Sequence, residues 1–120
     1  MSNKIILKKK INIFNKKINI PGDKSLSIRW ALMASLSYGI SRAQNLLMSE
    51  DVMATLKAIK TLGIKVSYNS KICKIYGLGV NGYKYKKGIV INAQNSGTLG
   101  RLIPGLLIDT PKPIKIIGDK

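Results

Sequence analysis

The chain has 120 residues, 45% apolar and 22% charged, a balance that fits one small folded domain, or part of a larger one, and excludes wholesale disorder. Its 21 Lys and Arg against 5 Asp and Glu leave a formal charge of +16, which directs attention to anionic partners. With no histidine and a single cysteine, Cys73, His-based catalysis and internal disulfides are excluded, and a zinc site is argued against.

No apolar run approaches the ~18 residues of a membrane span. The opening, Met1 to Lys10, lacks the long apolar region and small-residue cleavage site of a signal peptide. A cytoplasmic location is the expectation, with no membrane partner. A basic nucleic-acid-binding module would account for the charge. Against it, lysine far outnumbers the three arginines, six lysines fall in the first 17 residues, and no aromatic cluster offers a base-stacking platform. The abundance of Lys, Ile and Asn fits a biased proteome instead, so no nucleic acid is expected.

In chain order, residues 4–13 and 17–20 read as two Ile/Leu-rich strands with alternating Lys, turned around Asn15-Lys16. Pro21-Gly22-Asp23 breaks the pattern. The stretch from Lys24 is long enough for a helix and ends at Gly39; it is polar in its first turn and apolar around most of its circumference after Ile28. Residues 40–46 form a strand. Ser49 is the N-cap of a second helix, with Glu50 and Asp51 in its first turn, an apolar stripe at Val52, Leu56, Ile59 and Leu62, and Gly63 as its stop.

Ile64–Tyr68 and Lys71–Tyr76 alternate as a hairpin around Asn69-Ser70, and residues 77–88 are loop-like. Ile89–Asn92 is a short strand. Asn95-Ser96-Gly97-Thr98 opens a third helix reaching about Ile108, which Pro104 should kink or shorten. Lys115–Ile117 reads as a final strand. The layout is mixed α/β, in the order β-α-β-α-β-β and then β-α-β. The stop just after Gly118-Asp119 reads as a cut.

Residues 18–24 and 114–120 agree at five of seven positions, Ile-x-Ile-x-Gly-Asp-Lys. Two readings stay open: a recurring strand-to-turn solution, or a repeated βα unit whose second copy starts where the chain stops.

Two loop-to-helix junctions carry the chemistry. Pro21-Gly22-Asp23-Lys24-Ser25-Leu26-Ser27-Ile28-Arg29 joins a helix N-terminus, which presents free N–H groups to anions, with a lysine, two hydroxyls and an arginine. Asn92 to Arg101 offers cap groups at Asn95, Ser96 and Thr98, close backbone approach at Gly97 and Gly100, and a guanidinium at Arg101. Each could also be an ordinary capped helix start. Two of only three arginines follow these junctions, however, where planar oxyanions would need them. Neither is a P-loop, because no Gly-Lys-Ser/Thr closes a glycine-rich loop. Together they suggest a site for one or two small, multiply anionic ligands.

The segment Pro-Gly-Asp-Lys-Ser-Leu-Ser-Ile-Arg at 21–29 resembles the opening signature of the 5-enolpyruvylshikimate-3-phosphate synthase family. Asn95-Ser96-Gly97-Thr98-Leu99-Gly100-Arg101-Leu102 resembles its second signature, and residues 45–52 and 58–63 fall between in the expected order. The chain departs from the usual pattern at Ile28, Trp30 and Gly100, none of which is a proposed contact group. The nearest alternative is a UDP-N-acetylglucosamine enolpyruvyl transferase-like enzyme, whose first signature has Lys-Asn in place of Lys24-Ser25 and lacks the Ser25–Arg29 spacing.

The resemblance implies repeated βαβαββ units of the enolpyruvyl transferase fold, with the first unit and the start of the next present here. Residues 1–20 would be leading strands that pack with the opposite domain, and 21–120 part of the first domain. It implies enolpyruvyl transfer from phosphoenolpyruvate to the 5-hydroxyl of shikimate 3-phosphate, on the shikimate route through chorismate to aromatic amino acids. No metal or organic cofactor takes part, and the full-length protein is expected to be monomeric. Lys24, Ser25 and Arg29 would bind shikimate 3-phosphate, Arg29 through the carboxylate. Lys24, Asn95, Gly97 and Thr98 would bind phosphoenolpyruvate. Asp51 and Arg101 have weaker claims, and the proton-transfer groups would lie beyond Lys120, leaving these residues alone inactive.

Overall fold

A computed structural model describes residues 4–10 and 12–119. Three helices and five strands follow one another as α1 (Lys24–Leu36), β1 (Tyr38–Gln44), α2 (Glu50–Thr61), β2 (Lys65–Tyr68), β3 (Ile72–Leu78), β4 (Val90–Asn92), α3 (Gly97–Leu106) and β5 (Lys115–Ile117). The mixed α/β order expected from residue 24 onward is the one observed. Boundaries move by a few residues: β1 starts and ends two residues early, and β3 runs on to Leu78.

Strands expected over 4–13 and 17–20 are absent among the described residues of this chain taken alone. Residues 4–10 and 12–20 are exposed and carry no strand, and Ile11 lies outside the described residues. Ile5, Leu7 and Ile13 stand 85%, 90% and 88% exposed. Their alternation has strand character, but a strand exists only through a hydrogen-bonded neighbour. No described strand lies beside them.

The first sheet has the order β1-β3-β2, antiparallel throughout, with β3 at its centre. Along β3 the inward residues Cys73, Ile75 and Gly77 alternate with half-buried ones, the period of a sheet with one covered face. Helices α1 and α2 cover it. Six residues of α1, among them Ser27, Ile28, Ala31 and Leu32, are buried, in keeping with a helix apolar around most of its girth. Helix α2 buries Val52, Leu56 and Ile59 and ends as expected, with Gly63 at φ 89° and Ile64 N–H donating to the Ile59 carbonyl, 3.1 Å. Burial pushes the Cys73 thiol pKa up against a smaller opposing pull from Lys60, so the thiol stays protonated and unreactive.

Strands β4 and β5 pair in parallel, Val90 with Lys115 to Asn92 with Ile117, and α3 is the crossover that parallel pairing requires. Pro104 sits inside α3, which is short at 10 residues. No backbone N–H is available at Pro104 to bond back to Gly100.

Close approach fixes α1 on the sheet. A Cβ on Gly77 would collide with the carbonyl oxygens of Ala34 and Ser37, at the end of α1, and Gly79 N–H donates to that same Ser37 oxygen, 3.0 Å. Gly77→Ala is therefore expected to destabilise the protein by about 1–3 kcal/mol through overpacking. Urea unfolding checks this, and an unchanged midpoint would contradict the packing described.

Candidate functional site

Asp23 caps α1, its Oδ1 accepting from Leu26 N–H at 2.7 Å. Lys24 and Ser25 therefore occupy a first turn whose N–H groups have no intrahelical acceptor. The loop entering α2 is locked against this turn. Leu47 N–H donates to Ser27 Oγ, 3.1 Å, and Asn45 Nδ2 donates to the Ile20 carbonyl, 3.0 Å. Asn45 adopts φ 57°, a left-handed turn that asparagine tolerates. A Cβ on Gly22 would strike the Asn45 carbonyl oxygen, so only glycine permits the contact.

The start of α2 thereby comes to the start of α1. Lys24 Nζ lies 3.1 Å from Asp51 Oδ2. Ser49 occupies the N-cap position as expected, but its side chain makes no capping bond and its buried Oγ has no hydrogen-bond partner. The negative charges of Glu50 and Asp51 complement this helix end instead.

The third junction turns on Gln94, at φ 51°, a conformation costly for a long side chain. Asn92 Oδ1 accepts from Gln94 N–H at 2.7 Å, and the Gln94 carbonyl accepts from Asp119 N–H at 3.0 Å. The turn delivers Ser96 as N-cap of α3, its Oγ accepting from Leu99 N–H, 3.3 Å. The first-turn N–H groups of Gly97 and Thr98 precede any intrahelical acceptor.

A cleft of about 480 Å³ joins these parts, lined by Glu50, Asp51, Lys57, Asn92, Asn95 and Asp119 among others. Lys24 is tied to its wall through Asp51, and Gly97 lines a neighbouring cleft of about 380 Å³ that shares Gln94, Asn95 and Asp119 with it. The start of α2 thus lines the first cleft with carboxylates, the start of α3 lines the second, and the ion pair brings the start of α1 alongside. Arg29 goes elsewhere: with Leu32, Met33, Leu102 and Leu106 it lines a smaller apolar groove between α1 and α3. Ser25 is half-buried on α1. Arg101 lies beside Gly97, its Nη2 3.5 Å from where a Cβ would stand.

Chain order and local signals identify Lys24, Asp51 and Asn95, and the fold brings them together. Gln94, Asn92 and Asp119 are not among the site residues that the sequence suggests. Asn92 carried a weak signal, an Asx turn two residues ahead, and Asp119 matches Asp23 in the internal echo. Gln94 carried none, since its backbone conformation is forced by neighbours in space.

A family model for EPSP synthase (3-phosphoshikimate 1-carboxyvinyltransferase) matches residues 8–120. The chain belongs to the EPSP synthase family. It is 38% identical over 112 residues to the 3-phosphoshikimate 1-carboxyvinyltransferase of Ruthia magnifica, covering 93% of this chain and 26% of that one. The enzyme of the same name from Streptococcus suis is 34% identical over 113 residues, covering 94% and 26%. An EPSP synthase structure from Acinetobacter baumannii superposes with a TM-score of 0.75 at 29% identity, over 87% of this chain and 24% of that one. The chain spans about a quarter of the length of these family members.

The two junction glycines differ in what they do for the fold. Gly97 has no positive φ and nothing rigid beside it, whereas Gly22 abuts backbone. Gly22→Ala is expected to lower stability by about 1–3 kcal/mol. Gly97→Ala should cost nothing, alanine being the better helix former by up to ~1 kcal/mol. Parallel thermal melts check both, and equal losses would contradict the assignment.

Proposed function

We propose that these residues supply part of the substrate site of a 3-phosphoshikimate 1-carboxyvinyltransferase. The enzyme adds the 5-hydroxyl of shikimate 3-phosphate to C2 of phosphoenolpyruvate, with a proton to C3, and then eliminates phosphate from the tetrahedral intermediate as that carbon gives a proton back. The carrying observation is that the Lys24–Asp51 pair joins the start of α1 to a cleft lined by Asp51 and Asn95, and that Asn95 also lines the neighbouring cleft that holds Gly97. Both substrates are multiply anionic; the starts of α1 and α3 would supply partial positive charge to phosphoenolpyruvate, and Arg29, farther along α1, a guanidinium to the other substrate.

Within this reading, Lys24 and the N–H of Gly97 meet phosphoenolpyruvate, with Asn95 and Thr98 adjacent to its phosphate. Ser25 and Arg29 hold shikimate 3-phosphate, Arg29 pairing bidentately with the carboxylate. Arg29 stands on the next turn of α1 from Lys24, about 1.5 Å of rise per residue along the axis, which would separate two ligands along one helix. Residues 1–20 become strands by pairing with elements outside 21–120, and the full-length enzyme acts as a cytoplasmic monomer.

Purified residues 1–120 should give no turnover, and the full-length chain should release phosphate from the two substrates together. In the full-length chain, Arg29→Ala should weaken use of shikimate 3-phosphate by roughly 1.5–3 kcal/mol, the value of a charge-assisted bond. Lysine there should rescue only in part. Gly97→Ala should instead raise KM for phosphoenolpyruvate at constant melting temperature, because its Cβ stands where phosphate meets the helix. Unchanged kinetics for both variants would sink this reading.

A further inference from the structure

Lys24 and Asp51 form the one side-chain ion pair found among the described residues, with Nζ and Oδ2 3.1 Å apart. Carboxylates are scarce here, 5 against 21 basic residues, yet Glu50, Asp51 and Asp119 all line the same cleft. Of these, Asp51 alone holds a cation. The pair is partly open to solvent, with Lys24 51% and Asp51 21% exposed, a setting in which ion pairs add little to stability. Its consequence is geometric.

Both backbones are already fixed. Lys24 begins α1, Asp51 is the second residue of α2, and Leu47 N–H to Ser27 Oγ ties the two starts together. What remains free is the four-carbon lysine stem, which is costly to order. An ammonium has three N–H donors. Asp51 engages one and leaves two for a ligand.

We propose that Asp51 is a positioning residue for Lys24, holding its ammonium beside the cleft so that two donors meet an incoming phosphate- and carboxylate-bearing ligand. The inference rests on the reading of Lys24 as a contact to phosphoenolpyruvate, and it assigns Asp51 no contact of its own.

A double-mutant cycle in the full-length enzyme tests it. Asp51→Asn should raise KM for phosphoenolpyruvate about tenfold, on the order of the cost of ordering a free lysine side chain, while kcat changes less. In a Lys24→Met background the same substitution should change KM less than about twofold. Asp51→Glu, which keeps the charge at the start of α2, should restore part of the loss; it also serves as the reporting variant if Asp51→Asn melts early. An unchanged or lowered KM in Asp51→Asn would overturn the proposal, as would equal effects in both backgrounds. Normal kinetics for Lys24→Met alone would mark a different failure, that of the Lys24 reading itself.

Discussion

The backbone of Gly22 lies directly against the carbonyl oxygen of Asn45, and the geometry around the cleft depends on that contact. A side chain at residue 22 would push the loop before α2 away from the start of α1. The Leu47–Ser27 hydrogen bond would then open, and Asp51 would lose its reach to Lys24. The buried faces of α1 and α2 supply most of the adhesion, through Ile28, Val52, Leu56 and Ile59. Adhesion by apolar surface is non-directional, however. It is the glycine contact and two hydrogen bonds that set which ends of the helices meet.

The charge distribution follows from the same geometry. A chain at +16 has no shortage of cations, and most of its lysines stand on exposed positions where water and salt screen them. At the cleft the balance is reversed: Glu50, Asp51 and Asp119 line it beside Lys57, and Asp51 directs the Lys24 cation toward it. Asn45 and Gln94, both left-handed, stand at the entrances to the α2 and α3 junctions. Backbone strain of this kind is retained where neighbours over-determine it, and at Gln94 the neighbours are Asn92 and Asp119.

Much of this was legible in the residues. Caps, stops and apolar stripes are local signals, so α1, α2 and α3 could be placed closely from Asp23, Ser49, Gly63 and Ser96. The hairpin of β2 and β3 was legible from alternation around Asn69-Ser70. Residues 4–20 were not, because alternation states only that a segment suits a sheet, and the sheet must be supplied by something else. The cleft was half legible. Two polar junctions stood out as candidate anion sites, but the link of the first to the cleft through Asp51 depends on how α2 packs, which no local pattern encodes. Arg29 shows the converse, a strong local signal on a helix face that turns toward α3 rather than into the cleft.

In the function proposed above, the starts of α1 and α3 act on the same small anion. A crystal structure of the full-length chain with phosphoenolpyruvate and shikimate 3-phosphate bound tests it most directly. Lys24 Nζ and the Gly97 N–H should both lie within hydrogen-bond distance of phosphoenolpyruvate, with Asp51 still on Lys24. Phosphoenolpyruvate bound away from either of these two groups would contradict it.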